Sequence, residues 1–402
     1  MDKPPEAVEG NEQFTRLLLD LRGVRFVIER ETLMNLPESI LLCLFPNGLL
    51  LSDPEGDESS DEEQVYFVDV RAHADQFDAR CLEFVLSFFR KAQDYFYGTD
   101  GAPGVFGGFD PAPQLIDYGT DPITGATMSG YGHPFHFPLF YKQAVIVLRE
   151  ELEYYTIPPR TLSSARPAPN ATENTPPQAT PAYAALREIC GDTLLQRHKV
   201  FSALQRNINK ESNIAEQHLI DMLCMSGFDP EDNWGYRAKE PNRCCITSTA
   251  LVLLKTGITH AGELPGAMPG GRRLTPPSGV ARDHPAPQSN DELGDWEYDG
   301  HGGAVRVNQQ QLSTAQKLLL FWRKPARKCW WDNVDLVIPA AIMGNGAPPA
   351  PRQAYSPAAR AVMTPTEREL LDRGAGRIVR VWARRVWTLE VGLVHLILSA
   401  MM

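Results

Sequence analysis

Residues 17–29 read Leu-Leu-Leu-Asp-Leu-Arg-Gly-Val-Arg-Phe-Val-Ile-Glu. Val24, Phe26 and Ile28 share one parity and Arg25 and Glu29 the other, the alternation of a half-buried strand, with Val27 as the exception. Gly23 stands where two strands turn or meet closely. Working outward, Thr32 is placed to cap a short helix ending at Leu36, and Pro37 to start a second over 38–45, stopped by Pro46-Asn47-Gly48. Val65 to Val70 returns as a strand. Asp78 caps a helix on which Leu82, Val85, Leu86 and Phe89 fall at i, i+3, i+4 and i+7, with Phe84 and Phe88 as a second apolar edge. Ala144, Val147, Leu148, Leu152 and Tyr155 keep helical spacing up to Pro158-Pro159. The mixture of strands and helices gives an α+β fold.

Beyond Pro158 the spacing predicts two helices between Ala184 and Gly227, with Leu186, Ile189, Leu194, Leu195 and Phe201 on the first and Ile214, His218, Leu219, Met222 and Leu223 on the second. Residues 244–254 read as a strand or a short helix, with the strand preferred, and strands are expected at Leu318–Arg323, at 329–331 with 334–338, and at 378–389. Trp382 and Trp387 have opposite parity and belong to opposite faces of a regular strand. The domains read as a disordered lead (1–13) and a first domain (14–158) that carries an acidic loop (53–63) and a Gly/Pro insertion (98–138). A linker (159–183) leads to a C-terminal α+β domain made of a helical part (184–262), a disordered insertion (263–304) and a basic, Trp-rich strand part (305–402).

The chain of 402 residues is 43% hydrophobic and 22% charged, an ordinary globular composition, and its net charge is −11. That net value hides an asymmetry. Residues 1–158 hold 11 Lys or Arg against 27 Asp or Glu, a net −16, whereas residues 305–402 hold 14 against 6, a net +8. Separate surfaces for separate partners are implied, or an attraction between the two ends. Overall acidity disfavours nucleic acid as the main partner. Seven Cys without metal-like spacing suggest a reducing compartment and no disulfide framework. The absence of an apolar leader and of a 20-residue apolar run suggests a soluble, cytoplasmic chain.

Catalytic and cofactor signatures are missing: no phosphate loop, dinucleotide fingerprint, nucleophile elbow or zinc motif occurs, so no enzyme activity, metal or cofactor is expected. His133 and His136 lie in the Gly/Pro insertion without further ligands. Ser59 and Ser60 precede acidic residues, and Thr175, Thr180, Thr275, Ser356 and Thr364 precede Pro, which makes them candidate phosphorylation sites in expected loops. The sharpest patch is basic and aromatic: residues 321–331 with Arg377, Arg380, Trp382, Arg384, Arg385 and Trp387. It reads either as a small sheet with Trp inside and Arg outside, or as a docking surface for an acidic protein, anionic lipid or single-stranded nucleic acid. Candidate partner-binding residues are Arg22, Arg25, Phe26, Phe88 and Phe89 in the first domain, and Arg323, Lys324, Arg327, Lys328, Arg384 and Arg385 in the second.

Residues 19–26, Arg30 to Leu33 and Leu36-Pro37-Glu38-Ser39 resemble the start of a BTB/POZ domain of the potassium-channel-tetramerisation type. Tyr66 to Asp69, Phe77-Asp78 and Phe84 to Arg90 are similar to its second block, and 144–158 to its final helix. Leu33 to Leu49, Lys317 to Trp331 and Val381 to Leu389 further resemble fungal BTB proteins related to the yeast Whi-type growth regulator. That resemblance implies a non-enzymatic, homo-oligomeric adaptor. It would bind and activate a plasma-membrane stress phosphatase, support the general stress response and restrain TOR-kinase signalling when nutrients are low, sitting at the membrane only through its partner. The same fold also serves as a substrate adaptor of cullin-type ubiquitin ligases.

Overall fold

The computed structural model describes residues 16–45, 51–52, 65–68, 77–99, 101–105, 138–140, 142–157, 181–211, 214–241, 243–260, 297–298, 304–343 and 360–394. The expected lead and acidic loop, and most of the linker and of the two insertions, lie outside these residues. Two compact units divide the chain: Met1–Ile146, Leu253–Pro325 and Glu390–Met402 form the first, and Val147–Val252 with Ala326–Leu389 the second. This division differs from the expected domains at 14–158 and 184–402, because each unit gathers separated segments.

In the first unit, β1 (Arg16–Leu21) and β2 (Val24–Glu29) form an antiparallel hairpin with Leu21 opposite Val24. Arg22 and Gly23 both take positive φ (55° and 83°), the two-residue turn whose twist matches a hairpin. Asp20 Oδ1 accepts from Gly23 N at 2.8 Å. Two short helices follow, α1 (Arg30–Met34) and α2 (Glu38–Leu44). Thr32 lies inside α1 and does not cap it; the N-cap position is Glu29, with no side-chain cap bond, while Pro37 starts α2 as expected. β3 (Leu51–Ser52) and β4 (Val65–Val68) complete a sheet of order β2-β1-β4-β3, in which β1 and β4 are parallel. Helix α3 (Ala79–Tyr97) is capped by Asp78, whose carboxylate accepts from Arg80 N at 2.8 Å, and it buries Leu82, Val85, Phe88, Phe89 and Phe96. The segment after it is not structureless at its start: β5 (Gly98–Thr99) and β6 (Ala102–Pro103) form a small hairpin.

The helix expected over 144–155 is a strand, β7 (Ala144–Thr156). A consecutive run such as Ala-Val-Ile-Val-Leu satisfies helical and strand periods alike. Here every residue from Ala144 to Glu150 is buried, as in a central strand covered on both faces, and β-branched Val145, Ile146 and Val147 suit it. Three helices, not two, then follow: α4 (Pro181–Gln196), α5 (Ser202–Glu211) and α6 (Ile214–Ser226). Phe201 falls between α4 and α5 and is fully buried.

β8 (Tyr236–Lys239) and β9 (Cys245–Leu253) pair antiparallel. β10 (Ile258–His260), β11 (Glu297–Tyr298) and β12 (Ala304–Val307) form a small sheet of the first unit, so the insertion expected over 263–304 contains a paired strand near its end. The strand expected at Leu318–Arg323 is the end of a helix, α7 (Gln309–Trp322). Asn308 caps it, accepting from Gln311 N at 3.0 Å, and Leu312, Ala315, Leu318 and Leu319 face inward. Its apolar last turn reads as a strand only when the cap, ten residues upstream of Leu318, is overlooked.

The second unit is built on the sheet β13-β14-β7-β9-β8, with β13 (Ala326–Pro339) antiparallel to β14 (Gly376–Leu393). Between them lie α8 (Ala340–Met343) and α9 (Pro365–Arg373). Helix α4 drives Leu186, Cys190 and Leu194 into a core with Leu152, Tyr154, Val334, Leu336, Val379 and Val381. Gly191 permits the approach, since a Cβ there would collide with the Tyr154 ring.

Thr364 is not in a loop. It is the buried N-cap of α9, accepting from Glu367 N at 3.1 Å while Glu367 Oε2 accepts from Thr364 N at 2.9 Å, a reciprocal capping box. The Thr364 hydroxyl is buried in the bond from Glu367 N and is not presented to solvent. Thr364→Ala is expected to lower unfolding free energy by about 1–2 kcal/mol, read as a lower urea midpoint at unchanged slope.

Candidate protein-binding face

The basic-aromatic segments fold into β13 and β14, and the pleat cuts them in two. Their register places Trp330 opposite Arg385 and Trp331 opposite Arg384. Directly opposed residues point to the same face, and neighbours along a strand to opposite faces. Lys328, Trp330, Asp332 and Val334 therefore share a face with Trp387, Arg385, Ala383 and Val381, and this face is turned to the core. Arg327, Cys329, Trp331 and Asp335 share the other with Thr388, Val386, Arg384 and Arg380.

On the core face, the carboxylate of Glu150 on β7 is held between two guanidiniums. Its Oε1 accepts from Arg385 Nη1 at 2.6 Å and from Trp387 Nε1 at 3.1 Å, and its Oε2 accepts from Arg237 Nη1 at 2.8 Å. Burial pushes the Glu150 pKa up, but Arg385 and Arg237 with the hydrogen bonds from Arg237 and Trp387 outweigh it. The group is left at about 2, below the ordinary 4.5. Asp332 pairs with Arg206, whose pKa falls to about 9 through burial and then the nearby Arg385 and Arg197. Arg197 in turn donates to both oxygens of buried Glu367, at 3.1 and 2.6 Å. Trp387 is ringed by Phe201, Trp234 and Trp330 at centroid distances of 6.5, 6.0 and 5.6 Å. Lys328 bonds Glu216 at 2.8 Å and lies 5.6 Å from the Trp330 ring. Arg385 and Lys328, read from sequence as docking residues, thus have internal partners.

On the opposite face three aromatic rings lie open: Trp331 is 57% exposed, Tyr155 50% and Trp382 42%. Tyr155 and Trp331 are stacked, with centroids 6.0 Å apart and planes at 30°. Arg384 Nη1 donates to Glu153 Oε2 at 3.2 Å, and the Tyr155 hydroxyl donates to the same oxygen at 3.3 Å. Arg380 makes a two-pronged bond to Asp335 at 2.8 and 3.1 Å. Trp, Tyr and Arg are the residues that dominate protein-binding energy. Exposed ion pairs contribute only about 0–1 kcal/mol, so a partner's carboxylates can replace Glu153 or Asp335 at small cost.

Other sequence candidates are scattered. Arg22 is half-buried, 3.8 Å from Asp78, and Arg25 is exposed, 3.7 Å from Asp20. Phe26 is half-buried, whereas Phe88 and Phe89 belong to the core. Arg323 and Lys324 are exposed after α7, and Arg327 is exposed on β13. Ser59, Ser60, Thr175, Thr180, Thr275 and Ser356 lie outside the described residues. Sequence reading missed Glu150, Arg237, Glu153 and Tyr155. The alternation of Glu151 and Glu153 with Leu152 and Tyr154 was the available signal for the last two, while nothing local marks Glu150. Among the described residues no His/Cys/Asp/Glu group could hold a metal ion, and no helix is long and apolar enough to cross a membrane.

The Glu150 network sets a pH dependence. Its pKa is depressed on folding, so its contribution is present above pH 4.5 and is lost as pH falls toward 2. Wild-type stability should fall across that window. Glu150→Gln should cost about 3–5 kcal/mol at neutral pH by stranding buried guanidinium charge, and should flatten the acid limb of the urea-midpoint profile.

No family model matches the chain, and no solved structure matches it. The chain is similar to a WHI2-like protein of Schizosaccharomyces pombe, 28% identical over 370 residues that span 92% of this chain and 85% of the relative. It is also similar to a growth regulation protein of Saccharomyces cerevisiae, 26% identical over 483 aligned positions that span 96% of this chain and 93% of the relative. Both relatives are fungal and their names support the resemblance to Whi-type growth regulators.

Proposed function

We propose that the chain is a non-enzymatic adaptor of fungal growth regulation. It binds and activates a plasma-membrane stress phosphatase, supports the general stress response and restrains TOR-kinase signalling under nutrient limitation. The observation that carries this reading is similarity over nearly the whole length to two proteins named for growth regulation. Support comes from the face around Trp331, Trp382 and Tyr155, which has the side-chain chemistry of a protein-binding surface. In this reading the adaptor resides in the cytoplasm, reaches the membrane through the phosphatase, and self-associates through a BTB/POZ-like N-terminal region. The BTB/POZ element rests on the sequence blocks at 19–39 and 66–90, and strand β7 departs from it where a final helix belongs.

The test is affinity purification of the full chain from nutrient-starved fungal cells with mass spectrometry. A phosphatase should be recovered, and recovery should drop at least tenfold in a Trp331→Ala/Trp382→Ala variant whose thermal midpoint stays within a few degrees of wild type. Recovery of a cullin with no phosphatase would overturn the phosphatase reading in favour of a ubiquitin-ligase adaptor.

A further inference from the structure

The first unit carries an apolar groove that the reading above does not use. Met34, Leu36, Phe89, Leu320, Val391 and Leu393 line a cavity of about 640 Å³. Its rear is locked: Glu390 of β14 accepts from the backbone N–H groups of Glu38 and Ser39 at 2.7 and 2.8 Å, holding the start of α2 in place. Two lining side chains stand open, Leu320 76% exposed and Met34 59%, and the next residue on α7, Phe321, is 73% exposed. A neighbouring pair of this size on one helix is a surface left open among the described residues and not a scatter of single exposed residues.

Charge says what fits. Residues 309–324, comprising α7 and the two residues after it, contain Lys317, Arg323 and Lys324 and no Asp or Glu, and all three cations are exposed. Arg323 lines the groove, and so does Lys142. Against these, Glu38 is the exposed carboxylate in the lining, since Glu390 is buried and occupied by α2. Cations at a helix end also favour the helix dipole, but that does not account for Leu320 and Phe321 in water. An apolar slot framed by helices and bordered by cations suits an amphipathic helix whose apolar stripe enters the slot and whose flanks are acidic.

We propose that this groove and the exposed side of α7 dock an acidic amphipathic helix of a partner protein, separately from the Trp331/Trp382 face. The test is fluorescence anisotropy on the full chain with two labelled helical peptides. Both carry Leu at i, i+3, i+4 and i+7; one fills the flanking positions with Glu and its twin fills them with Lys. The Glu peptide should bind saturably and at least tenfold more tightly than the Lys twin. That binding should weaken at least tenfold in Leu320→Gln/Phe321→Gln and in Lys317→Glu/Arg323→Glu, and should persist in Trp331→Ala. All are surface changes, and unchanged circular dichroism keeps the comparison valid. Equal binding of both peptides, absence of saturable binding, or binding untouched by Leu320→Gln/Phe321→Gln would each overturn the proposal. So would a concentration-dependent dimer in sedimentation that Leu320→Gln/Phe321→Gln abolishes, since the face would then belong to a second copy of the chain.

Discussion

Glu150, held between Arg385 and Arg237, is the contact on which the second unit turns. Three strands meet at that carboxylate: β7 supplies it, β14 supplies Arg385 and Trp387, and β8 supplies Arg237. Burying each of these charges costs several kcal/mol, a cost offset only when every partner is in place. A one-residue slip of β14 against its neighbours would carry Arg385 to the open face and Trp387 out of its aromatic ring. One direction of slip would set Val386 beside Glu150 and leave it a single guanidinium; the other would set Arg384 there but put Val386 in the place of Trp387. The network contributes modest net stability and enforces one register.

That register creates the division between inner and outer chemistry. Consecutive residues Trp330-Trp331 and Arg384-Arg385 are cross-strand neighbours twice over, once on each face. Of the inner pair, Trp330 packs on Trp387 and Arg385 bonds buried Glu150, while the outer pair is open beside Tyr155 and Glu153. Two adjacent arginines of identical chemistry thus take different roles. Arg385 is fixed by a buried carboxylate that it cannot leave cheaply, while Arg384 sits in an exposed pair that a partner can exchange.

Some of this was legible in the sequence. The Arg22-Gly23 turn, the Asp78 cap of α3, the start of α2 at Pro37 and the opposite facing of Trp382 and Trp387 all follow from signals within a few residues. Strand β7 and helix α7 did not, for one reason: a run of four or five consecutive apolar residues carries no period. In 144–148 the deciding factor is a pair of neighbouring strands, β14 and β9, drawn from residues about a hundred and more than two hundred positions away. At 318–322 it is the Asn308 cap and the inward row that begins at Leu312.

By itself the sequence determined some local pieces: the turn at Gly23, the Asp78 cap, the start of α2 at Pro37 and the opposite facing of Trp382 and Trp387. It also placed the acidic excess before Pro158 and the basic excess after residue 304. Tertiary structure alone decided which members of the basic-aromatic cluster are available to a partner. Availability depends on whether a carboxylate such as Glu150 or Glu216 arrives from another segment to claim the cation. No local pattern encodes that arrival, because the desolvation that makes a buried pair binding is a property of the closed core and not of either chain segment.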